Sequence, residues 1–242
     1  MTSETKDIIQ TELLPEDYNK YDLSFKMIVV GDASVGKSCL TSKASRGIFE
    51  ELYAPTIGFE FLVFNVKIND KVVKLQIWDT CGQELYRSLI SSFYRNSSLA
   101  MMVYAINNKE SFNHIKSWLK EVKLQSNPDV KIFLIGNKSD LDKERKVKEE
   151  DARIFMEENG IHFFSETSAK SGINAKEVFV EAAKLLYIEH LKYRERKFKK
   201  NQSDNEKFPL PKKENKNKLV RSYLPKPTKL NRNNKKNEGC CG

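Results

Sequence analysis

Cysteine is scarce in this chain, with four in 242 residues at positions 39, 81, 240 and 241. The first two fall within expected core or loop elements and the last two are neighbours. No disulfide framework is implied, and a reducing, intracellular compartment is expected. Long apolar runs are missing as well. The longest, Leu99 to Ile106, has the length of a strand, well short of the ~18–20 residues a membrane helix needs. The acidic N-terminus does not resemble a secretory signal. The three histidines, His114, His162 and His190, form no cluster with cysteines or carboxylates at ligand spacing, which leaves them as surface or partly buried side chains.

Positive charge is abundant but unevenly placed. Residues 1–24 sum to −4, and residues 192–242 carry seventeen basic and five acidic side chains, a net of +12. The formal total of +9 therefore leaves residues 25–191 at +1. A near-neutral body argues against a nucleic-acid-binding domain, whose basic residues would lie on its folded surface. The tail also lacks the aromatic interleaving that stacks on bases.

Residues 1–23 are polar and acidic without sustained periodicity, and are expected to form a flexible extension. Residues 24–191 alternate strands with helices. Strands are expected at 25–30, 58–68, 71–78, 99–106, 131–136 and 162–166, and helices at 37–46, 84–94, 110–126, 149–159 and 174–192. Asn69-Asp70 is a turn signal between two alternating runs, so the second and third strands form a hairpin. The pattern predicts a single α/β domain, with a six-stranded, mostly parallel sheet, one antiparallel strand and helices on both faces. Residues 192–242 are rich in Lys and Asn, with almost no apolar periodicity, and are expected to be disordered.

Residues 31–38, Gly-Asp-Ala-Ser-Val-Gly-Lys-Ser, fit the phosphate-loop pattern of two glycines five apart followed by Lys and a hydroxyl residue. Gly31 and Gly36 let the backbone curl so that the N–H groups of the loop, Asp32, Ala33, Ser34 and Val35 among them, point inward at phosphate oxygens. Lys37 brings a point charge to the β- and γ-phosphates, and Ser38 offers a hydroxyl to Mg²⁺. A glycine-containing turn could match by chance, but an apolar strand runs in and a helix runs out. The phosphates then sit at a helix N-terminus.

Ligands of open α/β sheets bind beyond the carboxyl ends of the strands. Three further polar clusters fall there: Asp79 to Gln83, Asn137 to Asp140 and Thr167 to Lys170. The carboxylate of Asp140 can accept two parallel hydrogen bonds, and guanine presents its ring N–H and exocyclic amine side by side. Adenine offers no such pair, and polar sites of this kind discriminate by factors on the order of 10⁴–10⁵. Asn137 and the stem of Lys138 would hold the loop and ring, with the Ala169 N–H near the guanine carbonyl. On its own this run also fits a polar turn; after a strand and downstream of a phosphate loop it reads as guanine recognition. Asp79 sits where a carboxylate would hold Mg²⁺ through water, the Gly82 N–H could approach the γ-phosphate, and Gln83 could orient the attacking water as the catalytic residue. Thr56 could add a hydroxyl to Mg²⁺ only with the γ-phosphate present, so loops 49–58 and 81–95 would order with GTP and relax after hydrolysis.

Residues 24–190 resemble a Ras-superfamily small GTPase, and specifically the Rab family. Ile57-Gly58-Phe59-Glu60-Phe61 and Lys74-Leu75-Gln76-Ile77-Trp78-Asp79 are similar to Rab-type signatures. Ser111-Phe112-Asn113-His114 and Ile135-Gly136-Asn137-Lys138-Ser139-Asp140-Leu141 resemble the branch serving Golgi and early endosomal membranes. The resemblance implies that Phe49 packs on the guanine and that Cys39, Tyr53, Ser168 and Lys170 line the nucleotide. It further implies that Phe61, Trp78 and Phe93 form an aromatic patch read by effectors. It also implies a monomer that meets an exchange factor, a GTPase-activating protein and a GDP-dissociation inhibitor or escort protein. There are departures: Cys81 replaces the usual Ala, Leu85-Tyr86 the usual Arg-Phe, and Tyr104-Ala105-Ile106 the usual Tyr-Asp-Ile. None removes a phosphate, metal or base contact. Cys81 touches the hinge of the second switch and bears on hydrolysis rate.

The chain closes on Gly239-Cys240-Cys241-Gly242. A single-prenyl box would need Cys at 239; paired cysteines resemble the doubly geranylgeranylated ends of Rab proteins. The expected function is a GTP/GDP switch in vesicle traffic, on the cytoplasmic face of Golgi or endosomal membranes and cycling through the cytosol, with slow Mg²⁺-dependent GTP hydrolysis. The alternative is a pseudo-GTPase that binds GTP as a scaffold, supported by Cys81 and opposed by Gln83. A P-loop kinase would leave Asp140 unexplained.

Overall fold

Apolar runs of strand length, unbroken by polar residues, belong at the middle of a sheet covered on both faces. In a computed structural model, which describes residues 9–49, 58–80 and 93–207, they lie there. The strands are β1 (Thr11–Leu14), β2 (Leu23–Val30), β3 (Phe59–Ile68), β4 (Lys71–Thr80), β5 (Leu99–Ala105), β6 (Lys131–Asn137) and β7 (Phe163–Glu166). The helices are α1 (Lys37–Arg46), α2 (Lys109–Gln125), α3 (Glu149–Asn159) and α4 (Glu177–Lys207), with a 3₁₀ turn over Ser139–Glu144. Spatial order is β1-β3-β4-β2-β5-β6-β7. Strands β4, β2, β5, β6 and β7 run parallel, and β3 pairs antiparallel with β4 across the Asn69-Asp70 turn.

Side chains alternate across each strand, and the core divides accordingly. Met27 and Val29 of β2 join Leu40 and Ala44 of α1 and Phe179 and Ala183 of α4 in one layer. Ile28 and Val30 join Ile115, Trp118 and Val122 of α2 and Ala152 of α3 in the other. Every residue of β5 is buried. Asn108 caps α2, its side chain accepting from the N–H groups of Glu110 and Ser111, which closes two of the donors a helix start leaves open.

Two expectations are corrected. The sheet has seven strands among the described residues rather than six, because Thr11–Leu14 adds to the outer edge of β3 in antiparallel register, Thr11 opposite Ile68 and Leu14 opposite Asn65. The N-terminal extension is therefore structured from this strand onward. The residues that follow are held by Asn65, 1 % exposed, whose Nδ2 donates to the carbonyls of Pro15 at 2.8 Å, Glu16 at 3.3 Å and Tyr18 at 3.1 Å. The tail expected to be disordered from 192 is helical through Lys207. Straight-chain Lys, Arg and Glu residues are good helix formers, and Lys192 pairs with Glu189 one turn away at 3.0 Å. The chain divides into a body, residues 1–194, and a second unit, residues 195–242. The expected helix 84–94 lies outside the described residues except for its last two positions.

Two measurements follow from these contacts. Asn65→Ala would remove three hydrogen bonds that tie residues 15–18 to β3, at a cost of about 1–3 kcal/mol, and Asn65→Asp should cost more because a buried carboxylate would face carbonyl oxygens. Denaturant titration of both variants should give stabilities in the order Asn, Ala, Asp. The second concerns His162, whose Nδ1 accepts from the Ile132 N–H at 3.1 Å. Burial holds its imidazole below the ordinary value of 6.5, aided by the charge of Lys131. The unfolded chain thus binds the proton more readily below that pH, so this contribution to stability is complete above pH 6.5 and lost as pH falls through the folded value. Unfolding free energy measured from pH 8 to 5 should drop less steeply in His162→Asn, whose carbonyl can replace the acceptor.

Candidate functional site

Strand β2 delivers the chain to the sheet rim, and α1 carries it away. Between them the backbone must turn back on itself beside β5 and β6. At Gly31, φ +141°, a β-carbon would overlap the carbonyl oxygen of Val103. At Gly36, φ +91°, it would lie 2.5 Å from Asn137 Nδ2. Both positions thus exclude a side chain on steric grounds and on backbone angle. Lys37 arches over the turn, its Nζ donating to the carbonyls of Gly31 at 2.9 Å and Asp32 at 2.8 Å. The loop is thereby closed around a cation, with helix α1 behind it, which is the electrostatics an anion needs.

Parallel pairing of β2 with β4 sets Val29 opposite Asp79. Thr80 Oγ1 donates to the Val29 carbonyl at 2.8 Å, and the Ser38 hydroxyl donates to Asp79 Oδ2. Asp79 is completely buried, and its Oδ1 has no hydrogen-bond partner among the described residues. Burial pushes this carboxyl up to about 7, against the Ser38 hydrogen bond and the Lys37 ammonium, which pull it down. A buried carboxylate oxygen without a partner, beside a hydroxyl and a phosphate loop, is the donor set of a hard divalent cation. Ser38 and Asp79 therefore fit Mg²⁺.

The base-side rim is assembled from the ends of β6 and β7. Asn137, 1 % exposed, donates from Nδ2 to the carbonyls of Val35 at 2.9 Å and Gly36 at 3.2 Å, and its Oδ1 accepts from Thr167 Oγ1 at 3.2 Å. Lys138 takes the left-handed conformation, φ 66°, and its Nζ donates to the Ser34 carbonyl at 2.7 Å. The chain then turns so that Asp140 Oδ1 accepts from Ser168 Oγ at 2.5 Å. Ser168 Oγ in turn accepts from the Ser171 N–H at 3.0 Å, and Ala169 is buried beside it.

The expected residues 31–39, 79, 137, 138, 140 and 168–170 thus stand on the rim formed by the strand ends. Phe49 packs, partly buried, on the core layer of α1 and α4. Tyr53, Thr56, Gly82, Gln83, Cys81, Cys240 and Cys241 lie outside the described residues. Phe61, Trp78 and Phe93 come together, with ring centroids 5.3 Å apart for Phe61–Trp78 and 5.1 Å for Trp78–Phe93. A fourth ring, Phe59, stacks 4.6 Å from Phe93 and 5.2 Å from Trp78. Phe59 is thus a further member of this aromatic surface. Its spacing of two from Phe61 on a strand already assigns both to one face.

A rim built in this way, with phosphate loop, buried carboxylate and base loop in that order, defines a P-loop nucleotide-binding protein. The sequence model of the Ras family matches residues 26–188, and the chain belongs to the Ras family. It is a small GTPase, and such proteins bind GTP and GDP with Mg²⁺ and hydrolyse GTP.

The burial of Asp79 sets up a test. Asp79→Asn keeps the shape and removes a charge that is costly to bury. In chelator the variant should melt no lower than the parent. Thermal melts with GDP alone and with GDP plus Mg²⁺ should show a metal-dependent rise in the parent that the variant has lost.

Proposed function

We propose that this chain is a Rab-type GTP/GDP switch in vesicle traffic, held on the cytoplasmic face of Golgi or endosomal membranes and cycling through the cytosol. The observation that carries this reading is the meeting of Phe61, Trp78 and Phe93 on one surface, the first two in strands that bear the Rab-type signatures. Phe61 is 45 % exposed, and exposed aromatics of this kind make interface anchors for effectors.

In the proposed cycle the N–H groups of residues 32–38 hold the phosphates and Lys37 spans the β- and γ-oxygens. Asp140 selects guanine, with Asn137, Lys138 and Ala169 around the ring and Cys39, Phe49, Tyr53, Ser168 and Lys170 completing the pocket. Ser38 and Thr56, with Asp79 through water, would hold Mg²⁺. When bound, Mg²⁺ neutralises charge on the phosphate oxygens. Gln83 orients a water whose oxygen bonds to the γ-phosphorus as the bond to the β–γ bridging oxygen breaks, leaving GDP and phosphate. Thr56 and Gly82 then lose the γ-phosphate that held them, which is the signal an effector reads.

Cys240 and Cys241 would carry geranylgeranyl groups. One chain binds a bilayer only marginally, at about 0.8 kcal/mol per buried CH₂, and two give stable attachment. The basic tail would add about 1 kcal/mol for each Lys or Arg that reaches an anionic surface.

Fractionation of cells expressing the full chain tests the anchor. Replacing both cysteines by Ser should release the protein to the cytosol, and either single replacement should leave a weaker form that salt strips off. Mass spectrometry that found unmodified thiols on the C-terminal peptide would end the membrane reading. Single-turnover hydrolysis tests the chemistry: Gln83→Leu should slow it with GTP affinity nearly unchanged. An unchanged rate would favour the pseudo-GTPase.

A further inference from the structure

The side chain of Asp32 turns out of the phosphate loop and docks on α2. Trp118 Nε1–H donates to Asp32 Oδ1 at 2.9 Å, and His114 Nδ1 stands 2.7 Å from Oδ2. A carboxylate accepts and cannot donate, so Nδ1 carries the proton. The two donors are four residues apart on α2 and so share one face. Trp118 is fixed in the core layer shared with Ile28 and Val30 of β2, which makes it a rigid post. The backbone of Asp32 is held as well, since Lys37 Nζ donates to its carbonyl and to that of Gly31.

These contacts do not touch the phosphates. They hold the stretch of backbone that shapes the cradle. A bound nucleotide leaves when that cradle opens, and a tether that keeps it in its phosphate-complementary form lowers the population of open states. Charge-assisted bonds to a carboxylate are stronger than neutral ones. We propose that Asp32 is a positioning residue, whose carboxylate, clamped by Trp118 and His114, fixes the phosphate loop to α2 and slows release of a bound guanine nucleoside diphosphate. The proposal rests on the nucleotide site described above and adds to it a determinant of residence time.

The test is the dissociation rate of a fluorescent GDP analogue from the full chain, chased with excess GDP in Mg²⁺. Asp32→Ala should release it about 10-fold faster, equivalent to about 1.4 kcal/mol. His114→Ala and Trp118→Phe, which removes the donor and keeps an aromatic ring in the core layer, should each show part of that change. The double variant Asp32→Ala/Trp118→Phe should be no faster than Asp32→Ala alone, because both act through one contact. Asp32→Asn should recover much of the loss. Its carbonyl still accepts from Trp118, and its amide can donate to the other neutral tautomer of His114. A merely structural role would lower the melting temperature of Asp32→Ala while leaving the off-rate within about twofold of the parent, and that result would overturn the proposal. Additive effects in the double variant would overturn it too. A parent protein that bound no guanine nucleotide would overturn the site reading itself, which sets that failure apart from the other two.

Discussion

One buried amide ties together three of the segments that form the nucleotide rim. Asn137 has two N–H donors and one carbonyl, and all three functions are engaged: Nδ2 with the Val35 and Gly36 carbonyls and Oδ1 with Thr167. Through these bonds the turn after β2, the end of β6 and the end of β7 become one body. No apolar residue could make them, and a β-carbon on Gly36 would meet the amide at 2.5 Å. The pairing of a missing side chain at 36 with an amide at 137 locks the phosphate half of the site to the base half. A buried polar group with every bond satisfied specifies a geometry as well as stabilising it.

The cation side of the site is built on the opposite principle. Asp79 is buried with one oxygen lacking a partner among the described residues, and such a group destabilises the fold unless something compensates it. The Ser38 hydroxyl and Lys37 ammonium offset part of the burial penalty, yet the carboxyl remains pushed up to about 7. Fold stability and metal affinity are therefore set against each other at one residue. Whatever supplies a compensating charge gains affinity from strain the protein already carries, and its binding in turn stabilises the folded state. Asn137 and Asp79 divide the work: the first makes the rim rigid, and the second leaves it needing a ligand.

The rim was legible in the sequence because its chemistry is carried by residue types at fixed spacing. Gly31, Gly36, Lys37 and Ser38 follow β2, and Asn137 and Asp140 stand at the end of β6, so each motif follows its strand at the expected place. The clamp on Asp32 was not legible. Its partners lie 82 and 86 residues away, and a tryptophan at helical spacing reads as core, which Trp118 also is. Strand β1 escaped for another reason. Three of its four residues are exposed, so its pairing to β3 rests on backbone hydrogen bonds, which leave no mark on side-chain pattern. Composition misled at α4, where a run rich in Lys, Arg and Glu suits a solvated helix as well as a disordered tail. The ion pair between Lys192 and Glu189 is a helical spacing visible only once a helix is assumed.

Strand β4 joins the site to the aromatic surface without any long pathway. Successive side chains on a strand face opposite ways. Asp79 turns to the side of α1, where Ser38 reaches it, while Trp78 turns to the other, against Phe59, Phe61 and Phe93. The ladder to β3 fixes Phe61 opposite Trp78 and Glu60 opposite Asp79. A slip of one residue would exchange the faces, burying an indole where the cation belongs and exposing the carboxylate among rings, so the register is held by both functions together. Any displacement of β4 that follows a change in the charge at Asp79 must move Trp78 with it, because one peptide bond separates them. The aromatic surface and the buried carboxylate of Asp79 are thus two sides of the same short stretch of strand.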